Sequence, residues 1–382
     1  MFFRPTTPTT VQLRPQTVPS GMLVGRSVSA APAQQGSSFC LNSQIGDHLS
    51  LGWVGASIVH AAELLGHRPL LQAHRSIRTT DFPSSIKGAL DRYRQLSKQG
   101  TPTVDRVLNF GRYARQEQVV RAKRKDVLVF WDSDTLSDSM AQTLSRFDNI
   151  YGISSFVANV IADRTGREVQ VFNHGIWPDF SPYTPPPATG PFTFLHLGTV
   201  NPRKATDLLF RAFALAFPPS RRDDVRLLVK CGMDSVAQAA AWRRDFAADD
   251  PRIVIDGQHV SRRDLSRYYA AAHVVAMPSR CEGFGLVGLE ALAHGRTVIA
   301  SGWSGPGDYL ASNDCIILPT ERNVPAYGYP GFAREIDLRV LAEALQVAAF
   351  NVERTSSLGR VGRERVLQDW NWTDKCHSYL NS

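Results

Sequence analysis

The sequence predicts an α/β protein of two Rossmann-like, doubly wound domains. Three observations lead there. Apolar strands alternate with amphipathic helices through the second half of the chain, the pattern of parallel sheets wound on both faces. Near the middle, Ser181-Pro182-Tyr183-Thr184-Pro185-Pro186-Pro187 can continue neither a helix nor a central strand and reads as a stiff linker. A chain of 382 residues is too long for one typical core and long enough for two. The expected organisation is a polar, proline-rich flexible tail (1–20), a first domain (21–180), the linker (181–191), a second domain (192–360) and a C-terminal helical segment (361–382).

In the first domain, residues 22–26 are a candidate first strand. Gly52 and Trp53 open a helix that runs to Leu65 and ends at Gly66, and 68–73 is the next strand. Residues 85–98 form a basic amphipathic helix with Ile86, Leu90 and Tyr93 on one face and Arg92, Arg94 and Lys98 elsewhere. A strand at 127–131 ends in Asp132-Ser133-Asp134. An Asp-x-Asp after a strand suits a hard divalent cation. Helix capping by Asp134 or Asp138 is the competing reading. In the second domain, strands are expected at 192–198, 225–230, 253–256, 273–278 and 297–300. Helices are expected at 207–213, 265–272 and 286–293, and 338–367 is helical.

Residues 277–301, MPSRCEGFGLVGLEALAHGRTVIAS, carry the sharpest chemical signal. Glu282 and Glu290 flank a strand–turn–helix junction. Gly283 and Gly285 let the turn approach a ligand closely. Free N–H groups at the start of the helix point at an anion, and strand carboxyl ends are where open α/β sheets bind ligands. Glu290, further along the helix, can accept hydrogen bonds from sugar or ribose hydroxyls. On spacing alone, an ordinary βαβ unit with a solvated Glu282 fits equally well. A second turn, after 192–198, places Arg203 and Lys204 just before a helix, where two cations can offset a diphosphate; a solvated basic turn is its bland counterpart.

The 277–301 block resembles the donor-binding signature of glycosyltransferase family 4, retaining enzymes with the GT-B fold. The matching residues are Glu282, Gly283, Phe284, Gly285, Leu286, Glu290 and Ala291, with Val287 and Arg296 where the family often has proline. The resemblance implies two Rossmann-like domains facing across a cleft and transfer of a sugar from a nucleoside diphosphate sugar, UDP- or GDP-linked. It implies no cofactor, no metal and no protein nucleophile. Lys204 resembles the family's phosphate-gripping lysine. The arginine that often follows the glycine Gly198 is Thr199 here, which leaves Arg203 as the substitute. By the same resemblance, Glu282, Lys204 and Arg203 are the catalytic candidates. Glu290 takes the ribose hydroxyls. Gly198, the backbone from Gly283 and Phe284 to Leu286 and Val287, and Ser304 and Gly305 of the loop 301–309 also meet the donor. Gln258 and His259 mark the turn that contacts the nucleobase through backbone. Gly52, Trp53, Asp132, Asp134 and His174 are the acceptor-side candidates, 149–155 and 172–176 resemble the last strand ends of the first domain, and 369–373 resembles the start of a helix that crosses back onto it.

Composition narrows the setting. No run is apolar enough for a membrane-spanning helix, and 1–20 lacks a signal-peptide core. Five scattered cysteines show no metal-ligand spacing and fit a reducing cytoplasm. The glycine turn at Gly52 to Gly55 is neither a P-loop nor a GxGxxG fingerprint. Between 68 and 125 the chain has 14 Lys and Arg against four Asp and Glu, so the net charge of +8 is more than supplied by this stretch. A basic face draws an anionic partner: a lipid-linked or other glycan acceptor, an anionic membrane surface at the inner face, or nucleic acid. The alternative to a glycan-directed transferase is therefore a nucleic-acid-binding protein, or a DNA-modifying glycosyltransferase, that uses this basic region.

Overall fold

The computed structural model describes residues 38–45, 50–73, 82–111, 120–218 and 224–382. All of them belong to one compact unit, Gly36–Ser382. The expected strand at 22–26 lies outside the described residues. The first sheet instead contains β1 (Phe39–Ser43), β2 (Leu70–Ala73), β3 (Thr103–Phe110), β4 (Arg121–Val129), β5 (Asn149–Gly152) and β6 (Gln170–Val171), in the order β2-β1-β3-β4-β5-β6. Every pairing is parallel, which requires a crossover between strands. The crossovers include α1 (Ser50–Leu64), α2 (Pro83–Ser97), α3 (Asp138–Leu144) and α4 (Ser155–Thr165). Gly66 adopts the left-handed conformation just past α1. Ser137, rather than Asp134 or Asp138, caps α3 by accepting from the Met140 N–H.

The second sheet is β7 (Phe192–Leu197), β8 (Val225–Lys230), β9 (Ile253–Asp256), β10 (Val274–Met277), β11 (Thr297–Ser301) and β12 (Ile316–Leu318). Its order is β12-β11-β10-β7-β8-β9, all parallel, so the winding reverses between β7 and β10. The connecting helices are α5 (Thr206–Ala216), α6 (Val236–Ala247), α7 (Arg262–Ala270) and α8 (Leu286–Ala293). β7, β10 and β11 are buried along almost their whole length, which is why they read as continuous apolar runs. After β12 an antiparallel hairpin, β13 (Arg322–Pro325) and β14 (Phe332–Glu335), precedes α9 (Leu338–Phe350). The expected helical region 338–367 is two helices, α9 and α10 (Val352–Asp369), parted at Asn351. Residues 181–191 have no regular structure; Arg363 binds the Ser181 carbonyl and Arg296 binds that of Thr184.

The C-terminal segment returns to the first sheet. Asn371 bridges to Ile176, and α11 (Trp372–Leu380) follows. Tyr379 donates its hydroxyl to the fully buried Asp126 of β4 (2.9 Å), and Arg106 of β3 donates to the Tyr379 carbonyl (2.6 Å). One apolar core runs from the first sheet through Phe284, Tyr309 and Leu289 to Trp370 and Trp372. The carboxyl ends of the two sheets meet: after β4, Asp132 accepts the Gly283 N–H (2.6 Å), and after β5, Ser154 donates to the Gly283 carbonyl (2.6 Å).

Candidate active site

The loops after β7 and β10 leave the sheet on either side of its reversal point, the place where such sheets open a crevice for ligands. The first loop carries Arg203 and Lys204 in a short helical turn. Asn201 caps that turn by accepting from the Lys204 N–H (2.9 Å). Gly198, at φ 142°, takes a backbone conformation that other residues rarely adopt, beside the Lys204 stem. The second loop carries Glu282. The three side chains converge: Lys204 Nζ lies 2.5 Å from Glu282 Oε1, and Arg203 Nη1 lies 3.2 Å from Oε2. Ser279 donates to Oε1 at 2.7 Å. Arg203 also reaches Asp132 Oδ2 at 3.4 Å, which joins the cluster to the first sheet.

Ser304 and Gly305 hold Glu282 in place by its backbone. The Glu282 N–H donates to Ser304 Oγ (3.1 Å), and the Gly305 N–H donates to the Glu282 carbonyl (2.9 Å). Ser304 adopts φ 67°, a conformation that costs a non-glycine residue free energy and collects at functional sites. At Gly305 any Cβ would overlap the Gly283 carbonyl, so only glycine fits. Gly285, at φ 79°, ends the loop and starts α8, so the first N–H groups of the helix, at Leu286 and Val287, begin beside the glutamate loop. Tyr309 donates to the Gly285 carbonyl at 2.6 Å and fixes the turn.

The electrostatics follow from burial and pairing. The side chains of Glu282, Asp132, Lys204 and Arg203 are 7, 15, 16 and 17% exposed. Burial alone would raise the Glu282 carboxyl; Lys204 and then Arg203 outweigh it and hold the group down at about 2. Asp132 moves the other way, raised by burial and by the Glu282 charge despite Arg203. Arg203 is raised because Glu282 and Asp132 overcome the burial that opposes it. The cluster thus holds a firmly ionised Glu282 and two cations in a nearly dry site, where charge interacts more strongly than in water.

Glu290 lies on α8, only 8% exposed, with both oxygens engaged. Arg262 pairs with Oε1, and Tyr269 donates to Oε2 at 2.8 Å. The Arg262 guanidinium lies 4.9 Å over the ring of Trp53, so this sequence-predicted residue of α1 joins the Glu290 group. Gly52 is buried in the first turn of α1. The recess lined by Trp53, Arg262, Tyr269, Glu290 and His294 has a volume of about 20 Å³, enough for one water.

Two acceptor-side candidates have other partners. Asp134 accepts the Phe332 N–H of the hairpin at 2.7 Å rather than capping a helix. His174 is buried between Phe284, Trp372 and Phe110, and neither ring nitrogen has a hydrogen-bond partner. Burial pushes it down to about 3, so it is neutral at ordinary pH. Among the described residues, no group of three or more His, Cys, Asp or Glu side chains is placed to hold a metal ion.

A family model described as "Family 4 Glycosyltransferase in conflict systems" matches residues 153–378, more than half of the chain and all of the Glu282–Glu290 block. The chain belongs to this family. The D-inositol 3-phosphate glycosyltransferase of Kineococcus radiotolerans is 40% identical over 118 residues, 29% of this chain and 27% of that protein. The chain therefore spans about a quarter of the length of that curated relative. Among solved structures, sucrose-phosphate synthase from Thermosynechococcus elongatus aligns with a TM-score of 0.64 at 18% identity, covering 90% of this chain and 97% of that one. The Anabaena protein HepE, solved with UDP and glucose, aligns with a TM-score of 0.64 at 13% identity, covering 90% and 98%. These likenesses establish the GT-B fold.

The sequence signals singled out Glu282, Glu290 and Lys204 but not the side chains that surround them in the structure. Tyr269 lies in the helix expected at 265–272, and Arg262 lies before it, at the first residue of α7. Ser279 and Arg280 lay inside the motif block without a signal of their own. Arg280 is 4% exposed and pairs with Asp207 (2.8 Å) and Glu335, tying the start of α5 to the hairpin. The hairpin itself was not anticipated.

Proposed function

We propose that the protein is a retaining glycosyltransferase that moves a sugar from a nucleoside diphosphate sugar to an acceptor. The observation that carries this reading is the convergence of Arg203 and Lys204 on Glu282 at the reversal point of the second sheet, beside the start of α8. In the bound state the diphosphate replaces Glu282 as counter-charge for the two cations. As the bond between the anomeric carbon and the phosphate oxygen breaks, charge grows on that oxygen, and Arg203 and Lys204 stabilise it. The acceptor hydroxyl attacks the same face and its proton passes to the departing phosphate. No protein nucleophile and no metal enter this sequence. Glu290 takes the ribose hydroxyls once Arg262 and Tyr269 yield.

HepE, with the same fold, is solved with UDP and with UDP-glucose, which favours a UDP-linked donor here. The relative named for D-inositol 3-phosphate takes a phosphorylated acceptor by its name, and the basic stretch 68–125 suits an anionic acceptor in the same way. A thermal-shift screen of nucleoside diphosphates and their sugars tests the reading, because a ligand that binds only the native state raises the melting temperature. A shift with one nucleotide, lost in Lys204→Ala, is expected. No shift with any of them, alongside salt-sensitive binding of plain duplex DNA, would instead support the nucleic-acid-binding alternative.

A further inference from the structure

The hairpin β13–β14 arises from the second half of the chain, between β12 and α9, yet its tip is fastened to the first sheet. After β4, Ser133 donates to the Pro330 carbonyl, Asp134 accepts the Phe332 N–H (2.7 Å), and the Asp134 N–H reaches the Phe332 carbonyl (3.4 Å). The Tyr329 ring meets Trp131 edge-on at 5.0 Å, and its hydroxyl lies 3.5 Å from Asp132 Oδ2. Asp132 is the residue that touches both Arg203 and the Gly283 N–H. The tip therefore lies across the Asp132 side of the Glu282 cluster.

Base and tip are held differently. At the base, Arg280 donates to Glu335 (2.6 Å), the Arg334 N–H donates to the Arg280 carbonyl (3.0 Å), and Val324 and Ala333 pack on the buried Cys281. At the tip, the fastening is a few hydrogen bonds, the Trp131–Tyr329 ring contact and the Arg280 guanidinium 5.5 Å over the Tyr327 ring. Gly331, at φ 82°, has Asp134 so close that a Cβ would overlap its carboxylate. Phe332 remains 53% exposed. A two-stranded ribbon has little stability of its own, so a firm base and a lightly held tip make a flap.

The geometry points to the hairpin as a lid over the acceptor side of the active site, with Asp134 as its catch and Tyr329 as the side chain it carries into the site. This rests on the glycosyl-transfer reading above. Closed, the lid keeps water and acceptor from the donor sugar; lifted, it admits the acceptor hydroxyl. Asp134, expected from sequence to meet the acceptor, works on the lid instead.

The test compares the wild type with Asp134→Ala and Asp134→Asn, the asparagine retaining an oxygen to accept the Phe332 N–H. Three quantities are read: hydrogen exchange of 326–334, release of nucleoside diphosphate from UDP-glucose without acceptor, and the thermal shift given by UDP. In Asp134→Ala, exchange of 326–334 is expected to rise at least five-fold, with the rest of the chain unchanged, and hydrolysis several-fold. Asp134→Asn should stay near wild type in both, and the UDP shift should be alike in all three. Unchanged exchange in Asp134→Ala overturns the catch. Faster exchange without faster hydrolysis overturns the lid while the UDP shift leaves the donor site standing. A wild type that shows no shift with any nucleoside diphosphate refutes the donor reading itself, and the lid falls with it.

Discussion

Removing the Lys204 charge isolates the interaction on which the site depends. Lys204 Nζ is 2.5 Å from Glu282 Oε1, and the two side chains are only 16 and 7% exposed, so the pair is not screened like a surface salt bridge worth ~0–1 kcal/mol. Deleting one partner of a buried pair leaves the other charge uncompensated, at a cost of ~3–5 kcal/mol. Arg203 at 3.2 Å and Ser279 at 2.7 Å remain to satisfy Glu282, which puts Lys204→Met at the lower end, ~3 kcal/mol. Chemical denaturation of Lys204→Met, Glu282→Gln and the double variant measures this. The double variant is expected to recover about half of the summed single losses, because neither charge is then left alone. A Lys204→Met protein within about 0.5 kcal/mol of wild type would refute the argument that this pair is buried and coupled.

Three further outcomes are expected. Glu282 sits at about 2 in the folded protein against an ordinary 4.5, so its contribution is complete above the ordinary value and is lost as pH falls towards 2; denaturation across that window should show a shallower acid limb in Glu282→Gln than in wild type. Arg262→Ala should lower stability by roughly 3 kcal/mol, by leaving Glu290 with Tyr269 alone, yet be stabilised more by nucleoside diphosphate than wild type is, since the ribose no longer competes with a guanidinium; thermal shifts read both. Release of nucleoside diphosphate should persist in a strong chelator, because Arg203 and Lys204 supply the counter-charge, whereas its loss would return Asp132 and Asp134 as metal ligands.

The second sheet was legible because β7, β10 and β11 are buried along nearly their whole length and so appear as unbroken apolar runs. In the first sheet, β3 mixes Asp105, Arg106 and Asn109 among its apolar residues, since Arg106 and Asn109 serve buried polar contacts, and it gave no strand signal. β1, FCLNS, ends in the buried polar residues Asn42 and Ser43 and so shows no apolar run. The hairpin was invisible for another reason: RNVP and FARE are held by ion pairs and a small patch on Cys281, not by a periodic apolar face. At the site, Glu282, Glu290 and Lys204 stood out through the resemblance to the family 4 donor-binding signature, since spacing alone fitted an ordinary βαβ unit equally well. Arg262 and Tyr269 did not, because their proximity to Glu290 arises only when α7 packs beside α8. Asp134 shows the limit most clearly. Its sequence context offers a metal, a helix cap or an acceptor, and its actual partner is the backbone of Phe332, 198 residues away.

The most direct test of the central claim is the rate of nucleoside diphosphate release from a sugar nucleotide that binds the wild type, measured for wild type, Lys204→Ala and Glu290→Ala. The account predicts a loss of about a hundred-fold or more in Lys204→Ala, the scale of removing one group that stabilises developing charge, and a severe loss in Glu290→Ala. Release at the wild-type rate in both folded variants would contradict it.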